Sequence, residues 1–322
     1  MYGYETFHED LMKNLIESVH NGASSHAYIF EGEKGLGVLN SARLFAAALT
    51  CKNTGVAPCG SCQNCVESKA DTNPDIIYVR PKADKKSIGA KDMRKLEEDV
   101  AVKPFNSKHK VYIFEDASLL TEEAQNTFLK TFEEPPEYAV FILLCENRNK
   151  ILPTILSRCT SVLIPPLSND EIFEIFGSKN EFLAAYSMGN PGKFLSLSED
   201  GEFLTLREEF FEKIVLLIQK KRTSIYPLCE FFEKNKDEKD TLFEFLTLFF
   251  GDILLKKNFL EGRIINRDKT ETIDKFNAET TKQSVVSSLE IIAKLQRELG
   301  KYGAYALCVN DMFIKLWEEI NG

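Results

Sequence analysis

The sequence predicts an α/β domain with a mostly parallel sheet, followed by a region built only of helices. Short apolar runs alternate with helical patterns in the first half of the chain, as expected of a parallel sheet covered by helices on both faces. A glycine-rich loop follows the first of these runs, and no convincing strand pattern occurs after residue 166. Strands are therefore expected only in the first half.

The predicted strands are five short runs rich in β-branched and aromatic residues: 27–30, 76–79, 111–114, 139–144 and 161–164. One helix between them has clear boundaries, because Thr121 can cap its first turn and Pro135 stops it. Beyond the sheet, Ser168 and Glu171 have the spacing of a capping box. Longer helices are predicted at 202–220, 224–234, 238–259, 281–299 and 303–320, after a short linker at 198–201.

The composition is that of a globular chain, with 43% apolar and 28% charged residues. A formal net charge of -9 argues against a protein that holds nucleic acid by charge alone. The chain does not begin like a signal peptide, and no run approaches the roughly 18 apolar residues of a membrane span. We therefore expect a cytoplasmic protein whose eight cysteines are thiols or metal ligands rather than disulfides.

The glycine-rich loop has the spacing of a phosphate-binding loop without its working side chains. Its glycines are Gly32, Gly35 and Gly37. In G-x-x-x-x-G-K-[ST] the lysine neutralises the terminal phosphates and the hydroxyl binds magnesium, but Val38 and Leu39 occupy those positions here. Lys34 lies too early in the loop to replace that lysine. Taken alone, the loop is also compatible with a glycine turn in an unrelated α/β protein.

A second segment has the form of a Walker B strand, since Glu115 and Asp116 directly follow the predicted strand 111–114. Such carboxylates hold magnesium and orient the attacking water. The usual order is Asp then Glu, and the order here is reversed. The two segments together predict the frame of a P-loop ATPase that does not hydrolyse ATP itself, and the missing lysine weakens the case for ATP binding by this chain.

Four cysteines are clustered in the pattern C-x7-C-x2-C-x2-C; they are Cys51, Cys59, Cys62 and Cys65. Four thiolates complete a closed tetrahedral zinc site, which would be structural because no position is left for water. The alternatives are unmetallated thiols or a redox pair. A zinc-based nucleic-acid binder is disfavoured, because basic and aromatic residues do not surround the cluster. The remaining cysteines are predicted to be ordinary buried residues: Cys145, Cys159, Cys229 and Cys308.

Arg158 lies in the run Ser157-Arg158-Cys159, beyond the predicted strand 139–144. An arginine in such a place is usually a surface or salt-bridging residue. With the preceding motifs, however, the run resembles the clamp-loader branch of the AAA+ ATPases over about residues 5–198. The matching segments are 26–28, the cysteine insert at 51–65, 110–136, 152–154, 157–159 and 189–193. The resemblance implies an AAA+ nucleotide-binding-like domain at 1–166, a helical lid at 167–200 and a helical collar for oligomerisation at 201–322.

The same resemblance implies that Arg158 is an arginine finger that enters the ATP site of a neighbouring subunit. The chain would be a non-hydrolysing subunit of the bacterial DNA polymerase III holoenzyme, without ATPase activity of its own. It would act with gamma/tau-type and delta-type subunits to load a sliding clamp on primed DNA. The alternative is an ATP-hydrolysing gamma/tau-type subunit, which would keep the lysine and threonine. Two features depart from the family: the x7 cysteine spacing, commonly x8, and Lys193, where ATP-sensing relatives have arginine.

Overall fold

The computed structural model describes residues 7–21, 25–53, 55, 57–82, 85–177, 179–298 and 305–322. The chain forms two compact units. The first comprises Met1–Ile175 with Gly189–Lys193, and the second comprises Phe176–Met188 with Phe194–Gly322. The finer division into domains at 1–166, 167–200 and 201–322 stays a prediction.

Strands and helices alternate in the first half of the chain, as the sequence predicts. Its elements are α1 (Glu9–His20), β1 (Ala27–Glu31), α2 (Val38–Thr50), α3 (Gln63–Lys69), β2 (Ile76–Val79), α4 (Ala90–Val100), β3 (Lys110–Phe114), α5 (Glu122–Glu133), β4 (Ala139–Cys145), α6 (Pro153–Leu156), β5 (Thr160–Leu163) and α7 (Asn169–Phe176). The α/β class predicted for this part is confirmed.

The five strands form one parallel sheet in the order β2-β3-β4-β1-β5. Ile76 pairs with Val111 at one side of the sheet, and Tyr28 pairs with Thr160 at the other. Each predicted strand is present, with ends that differ by at most one residue. Because the carboxyl ends of parallel strands lie along one edge, the loops after β1, β2 and β3 meet there.

Alternate side chains of β1, β2, β3 and β4 enter two apolar layers. On β3, Val111 and Ile113 belong to the layer that contains α1 and α2. Tyr112 and Phe114 belong to the opposite layer with α4 and α5, where the Phe114 and Phe128 rings lie 6.0 Å apart. Burial of both faces explains why these strands are almost continuously apolar.

Two predicted helix starts are confirmed by their hydrogen bonds. The Thr121 hydroxyl oxygen accepts from the Ala124 amide at 3.2 Å, so Thr121 caps α5. The Ser168 amide donates to the Glu171 carboxylate at 2.7 Å, and the Glu171 amide donates to the Ser168 hydroxyl at 3.3 Å. This reciprocal pair is the capping box that begins α7.

Beyond α7, the described part of the chain is helical and contains no strand. Its elements are α8 (Glu181–Tyr186), α9 (Pro191–Glu199), α10 (Gly201–Ile214), α11 (Tyr226–Lys234), α12 (Lys239–Lys257), α13 (Thr270–Glu279), α14 (Lys282–Glu298) and α15 (Tyr305–Asn321). The long predicted helices are present, but α10 ends at Ile214 and a 3-10 helix at Val215–Ile218 follows, where the α-helix was predicted to continue to residue 220. Residues 299 and 303–304 of the predicted helices lie outside the described residues. Helix α13 was not predicted. The linker prediction at 198–201 was wrong: only Asp200 separates α9 from α10, and its carboxylate caps α10 by accepting from the Phe203 amide.

A buried arginine organises the helices of the second unit. Arg207 is 3% exposed and donates from both terminal nitrogens to Asp268 at 2.8 Å, with its guanidinium 3.5 Å from the centre of the Phe182 ring. Burial of this charge is compensated by the paired carboxylate. The most apolar stretch of the sequence lies within α12, where Phe249 and Ile253 are fully buried. Among the described residues, no helix has the length and apolar character needed to cross a membrane.

Candidate functional site

The glycine loop leads from β1 into α2 with the backbone conformations that its glycines allow. Gly35 and Gly37 have φ values of +101° and +79°, and Gly37 is the residue that precedes α2. Val38 and Leu39 are the first two residues of that helix, and both pack partly against the apolar layer beneath it. The loop thus retains the course of a phosphate loop, while apolar side chains lie where lysine and a hydroxyl are required.

Segments from elsewhere in the first unit hold the loop in place. The Asn190 side-chain amide donates to the Lys34 carbonyl at 2.9 Å, and the Gly192 amide donates to the Gly35 carbonyl at 3.1 Å. A Cβ on Gly192 would lie 2.8 Å from the Gly35 Cα, so this approach requires glycine. The shape of the loop is therefore fixed without a ligand.

The loop has a further support at its next carbonyl. The His8 ring donates from Nε2 to the Leu36 carbonyl at 3.1 Å. Burial of the ring lowers the pKa of His8, which favours the neutral form. Three successive carbonyls of the loop are thus hydrogen-bonded to other parts of the same unit.

A cleft of about 680 Å³ opens beside the loop. The predicted phosphate-loop glycines and both Walker B carboxylates line it: Gly32, Gly35, Gly37, Glu115 and Asp116. The sequence pattern thus identified residues that the fold brings to one edge of the sheet. The volume of the cleft is within the usual range of ligand pockets.

Both carboxylates in this cleft already have partners within the chain. Arg80 donates to the two oxygens of Glu115 at 2.6 Å each, and its guanidinium also lies 5.3 Å from the centre of the Tyr78 ring. Asp116 accepts from the Ser118 amide at 2.9 Å and caps a short 3-10 turn. Sequence reasoning missed Arg80, although its position directly after β2, next to the end of β3, was a usable signal.

The four clustered cysteines bring their sulfur atoms within 4.8 Å of one another. The sulfurs of Cys51 and Cys62 are 4.0 Å apart, as are those of Cys59 and Cys65. A tetrahedral centre with metal–sulfur bonds of about 2.3 Å has sulfurs about 3.8 Å apart, close to these distances. The predicted ligand set is therefore able to bind a metal.

The backbone around the cluster favours thiolates. The amides of Asn53 and Cys59 donate to the Cys51 sulfur at 3.4 Å, and the Cys62 amide donates to the Cys59 sulfur at 3.4 Å. Hydrogen bonds from the Ser61 and Cys62 amides lower the pKa of Cys59 to about 6, whereas burial raises the pKa of Cys65. A bound cation would stabilise the anionic form of all four.

The cysteine segment is fixed to the first unit through Asn64. The Asn64 amide group donates to the Thr50 carbonyl at 2.7 Å and to the Ser107 hydroxyl at 2.9 Å. Outside the cluster, Cys145 and Cys229 are buried as predicted, whereas Cys159 and Cys308 are half-buried.

Arg158 is separate from the residues that line the cleft and follows the short helix α6. Its Nη1 donates to the Thr154 carbonyl at 2.7 Å, and its Nη2 donates to Glu133 at 2.7 Å. The side chain remains 35% exposed. Its segment is held on α5 by the buried Gln125, whose Oε1 accepts from the Leu152 amide at 2.8 Å.

A parallel sheet with a glycine loop at the start of α2 defines the class of P-loop-type α/β proteins. Residues 7–168 match the family described as "DNA polymerase III, delta subunit", and residues 201–304 match "DNA polymerase III, delta subunit, C terminal". With the relatives that follow, these matches show that the chain belongs to the family of DNA polymerase III delta' subunits.

Two relatives are delta' subunits. The Bacillus subtilis subunit is 30% identical over 297 residues, which cover 90% of each chain. The Haemophilus influenzae subunit is 29% identical over 293 residues, which cover 88% of each chain. DNA polymerase III subunit tau of Bacillus subtilis is 28% identical over 323 residues, but these cover 90% of this chain and only 57% of tau. The alignments with the delta' subunits cover about 90% of both chains, which favours the delta' type over tau.

Proposed function

We propose that this chain is the non-hydrolysing, delta'-type subunit of a replicative clamp loader. It supplies Arg158 in trans to the ATP site of a neighbouring subunit, and the complex loads a sliding clamp on primed DNA. Family membership supports the assembly. The observation that carries the non-hydrolysing role is the pair Val38 and Leu39 at the start of α2, where a phosphate loop has its lysine and hydroxyl; Lys34 lines the same cleft but lies earlier in the loop, outside that helix start.

The opposite end of the cleft supports the same proposal. Glu115 is bonded through both oxygens to Arg80, and Asp116 accepts from the backbone of the following turn. The guanidinium of Arg80 competes with magnesium for both oxygens of Glu115, whereas Asp116 has one oxygen engaged by the backbone. Loss of ATP chemistry thus involves both the loop and the Walker B end.

Arg158 is suited to act on another chain. Its guanidinium has five N–H donors, and the contacts with Thr154 and Glu133 use donors from its two terminal nitrogens. Nη1 also donates to the Ser157 hydroxyl at 3.4 Å. The N–H of Nε and the second N–H of Nη2 remain for a phosphoryl group, and the side chain is 35% exposed. An arginine supplied in trans accelerates phosphoryl transfer by roughly 10³ to 10⁵ in GTPase systems.

The cysteine cluster is proposed to hold one zinc ion, with Cys51, Cys59, Cys62 and Cys65 as its ligands. Four-thiolate zinc centres are structural, and this one would join the end of α2 to the start of α3. The proposed partners are gamma/tau-type and delta-type subunits in the cytoplasm. In this proposal 167–200 is the lid and 201–322 is the collar through which the subunits assemble.

The proposal is tested by reconstituting the complex with gamma/tau-type and delta-type subunits of the same organism. The isolated chain should not turn over ATP, and its addition should raise DNA-stimulated hydrolysis by the complex. The Arg158→Ala chain should assemble, as measured by native mass spectrometry, without giving the full increase. Hydrolysis by the isolated wild-type chain that is lost in Glu115→Gln would instead support the gamma/tau-type alternative.

A further inference from the structure

The last residue of α5 makes direct contact with the proposed finger. Glu133 Oε1 accepts from Arg158 Nη2 at 2.7 Å, while Arg158 Nη1 donates to the Thr154 carbonyl at 2.7 Å. The two side chains are 49% and 35% exposed, respectively. Nη1 also donates to the Ser157 hydroxyl at 3.4 Å, so Arg158 is held by three acceptors of its own chain at a surface that another molecule can reach.

The backbone of this region is fixed independently of the ion pair. Gln125 is 3% exposed; it accepts from the Leu152 amide at 2.8 Å and donates to the Lys150 carbonyl at 3.1 Å. These bonds attach the segment before α6 to the first half of α5. The freedom that remains is therefore mainly in the side chain of Arg158, which has several rotatable bonds and loses much rotamer freedom when it is ordered.

We propose that Glu133 is a positioning residue that orients the guanidinium of Arg158 toward the neighbouring subunit. This inference rests on the proposed function of Arg158 in trans. Glu133 and Thr154 bind donors on the two terminal nitrogens, so together they fix the plane of the guanidinium. Its remaining N–H groups stay available for a phosphoryl group. A finger that is ordered before it meets the phosphate loses less freedom in the transition state.

The test uses the complete reconstituted complex and measures kcat and KM for DNA-stimulated ATP hydrolysis. The variants are Glu133→Ala, Arg158→Ala and the double variant, with Glu134→Ala as the matched control because Glu134 is the adjacent exposed carboxylate. We expect Glu133→Ala to lower kcat about two- to fivefold, the range of an exposed ion pair, with KM for ATP unchanged. Glu133→Gln keeps an acceptor without the charge, so its kcat should be intermediate.

The double variant separates positioning from a general structural effect. If Glu133 acts through Arg158, the double variant should be no slower than Arg158→Ala. Three results would overturn the positioning role. In the first, adding Glu133→Ala to Arg158→Ala lowers kcat by the same factor as Glu133→Ala alone. In the second, Glu133→Ala raises kcat, and in the third, Glu133→Ala leaves kcat unchanged although Arg158→Ala is slow. Unchanged hydrolysis in Arg158→Ala would instead reject the proposed function on which the inference rests. Native mass spectrometry confirms that each variant is assembled, and Glu133→Gln serves if Glu133→Ala does not assemble.

Discussion

Arg80 and Glu115 form a two-pronged ion pair at the edge of the sheet, with nitrogen–oxygen distances of 2.6 Å at both carboxylate oxygens. Arg80 directly follows β2 and Glu115 directly follows β3, so the parallel pairing of these strands places them side by side. The guanidinium lies at the carboxylate that a Walker B segment would use near magnesium. This carboxylate is thus already paired with a cation of its own chain.

The Arg80 contact predicts that repair of the phosphate loop is not sufficient for magnesium-dependent binding. In the background Val38→Lys with Leu39→Thr, we expect weak binding of a fluorescent ATP analogue with little effect of magnesium. Adding Arg80→Ala should increase the affinity measured with magnesium roughly three- to tenfold, because Glu115 is then free to take part. Fluorescence titration with and without magnesium measures this change.

Arg43→Ala is the control for that experiment, since Arg43 lies over the same Tyr78 ring but pairs with Asp71 instead of Glu115. It should leave magnesium dependence unchanged. Equal magnesium dependence in the repaired chain with and without Arg80 would show that the ion pair does not block the site. ATP turnover should remain low in every case, because the order of Glu115 and Asp116 is unaltered.

The geometry of the four-cysteine cluster predicts that each chain retains one zinc ion after dialysis. Cys62→Ser should lower metal affinity at least as much as the roughly 10- to 100-fold loss caused by changes outside the ligand shell. It should also lower the unfolding temperature, because binding free energy contributes to folding. Metal analysis and thermal unfolding check both outcomes. Cys308→Ser, outside the cluster, should retain the metal, and a fully folded metal-free wild-type chain would contradict the assignment.

His8 predicts a loss of stability in mildly acidic solution. Burial lowers the pKa of His8 in the folded chain, whereas the unfolded chain regains a value of about 6.5. At a pH between those two pKa values, the unfolded state binds more protons than the folded state. The free energy of unfolding therefore falls as the pH falls below about 6.5. Thermal unfolding from pH 7.5 to 5.5 should show this slope.

His8→Gln should reduce that slope, because the amide can still donate to the Leu36 carbonyl but does not titrate. The slope should not vanish, since burial also lowers the pKa of His109. His20→Gln, at an exposed histidine on α1, is the matched control for the substitution itself. An identical slope in His8→Gln and wild type would reject a neutral, buried His8.

Strands β1, β3 and β4 were predictable because burial of both faces makes them almost continuously apolar. Strand β5 is exposed at three of its four residues, and its prediction depended on the β-branched residues in its run. The cysteine cluster was predictable because its ligands are close in sequence. Helix α13 was missed because its pattern is weak: of its ten residues, Ile273 and Phe276 are buried. Its place depends instead on tertiary contacts, such as the 4.8 Å approach of the Phe276 and Phe249 rings.

The hydrogen-bond partners of the site residues were harder to predict from the sequence than the residues themselves. Glu115 and Arg80 are 35 positions apart, and Arg158 and Glu133 are 25 apart. Such pairs become neighbours only when strand order and helix packing are known. The type of each residue was visible in the sequence, but the hydrogen bonds that occupy Glu115 and orient Arg158 required the fold.

The geometry of Arg158 predicts that lysine is a poor substitute in the assembled complex. The guanidinium donates at once to Thr154 and Glu133 and keeps further N–H groups for a phosphoryl group. An ammonium has three donors on one nitrogen and does not form the planar fork. Arg158→Lys should therefore assemble normally but recover little of the DNA-stimulated ATPase activity lost in Arg158→Ala.

The loss of ATPase activity in both variants is expected to be smaller than the roughly 10³- to 10⁵-fold effect of a trans arginine in GTPase systems. Other subunits retain their own interfaces, and conformational steps also limit loading. Steady-state ATPase and clamp-loading assays at one salt and DNA concentration compare the three chains. Full activity of Arg158→Lys would show that a positive charge alone is sufficient, whereas failure of both variants to assemble would assign Arg158 a structural role.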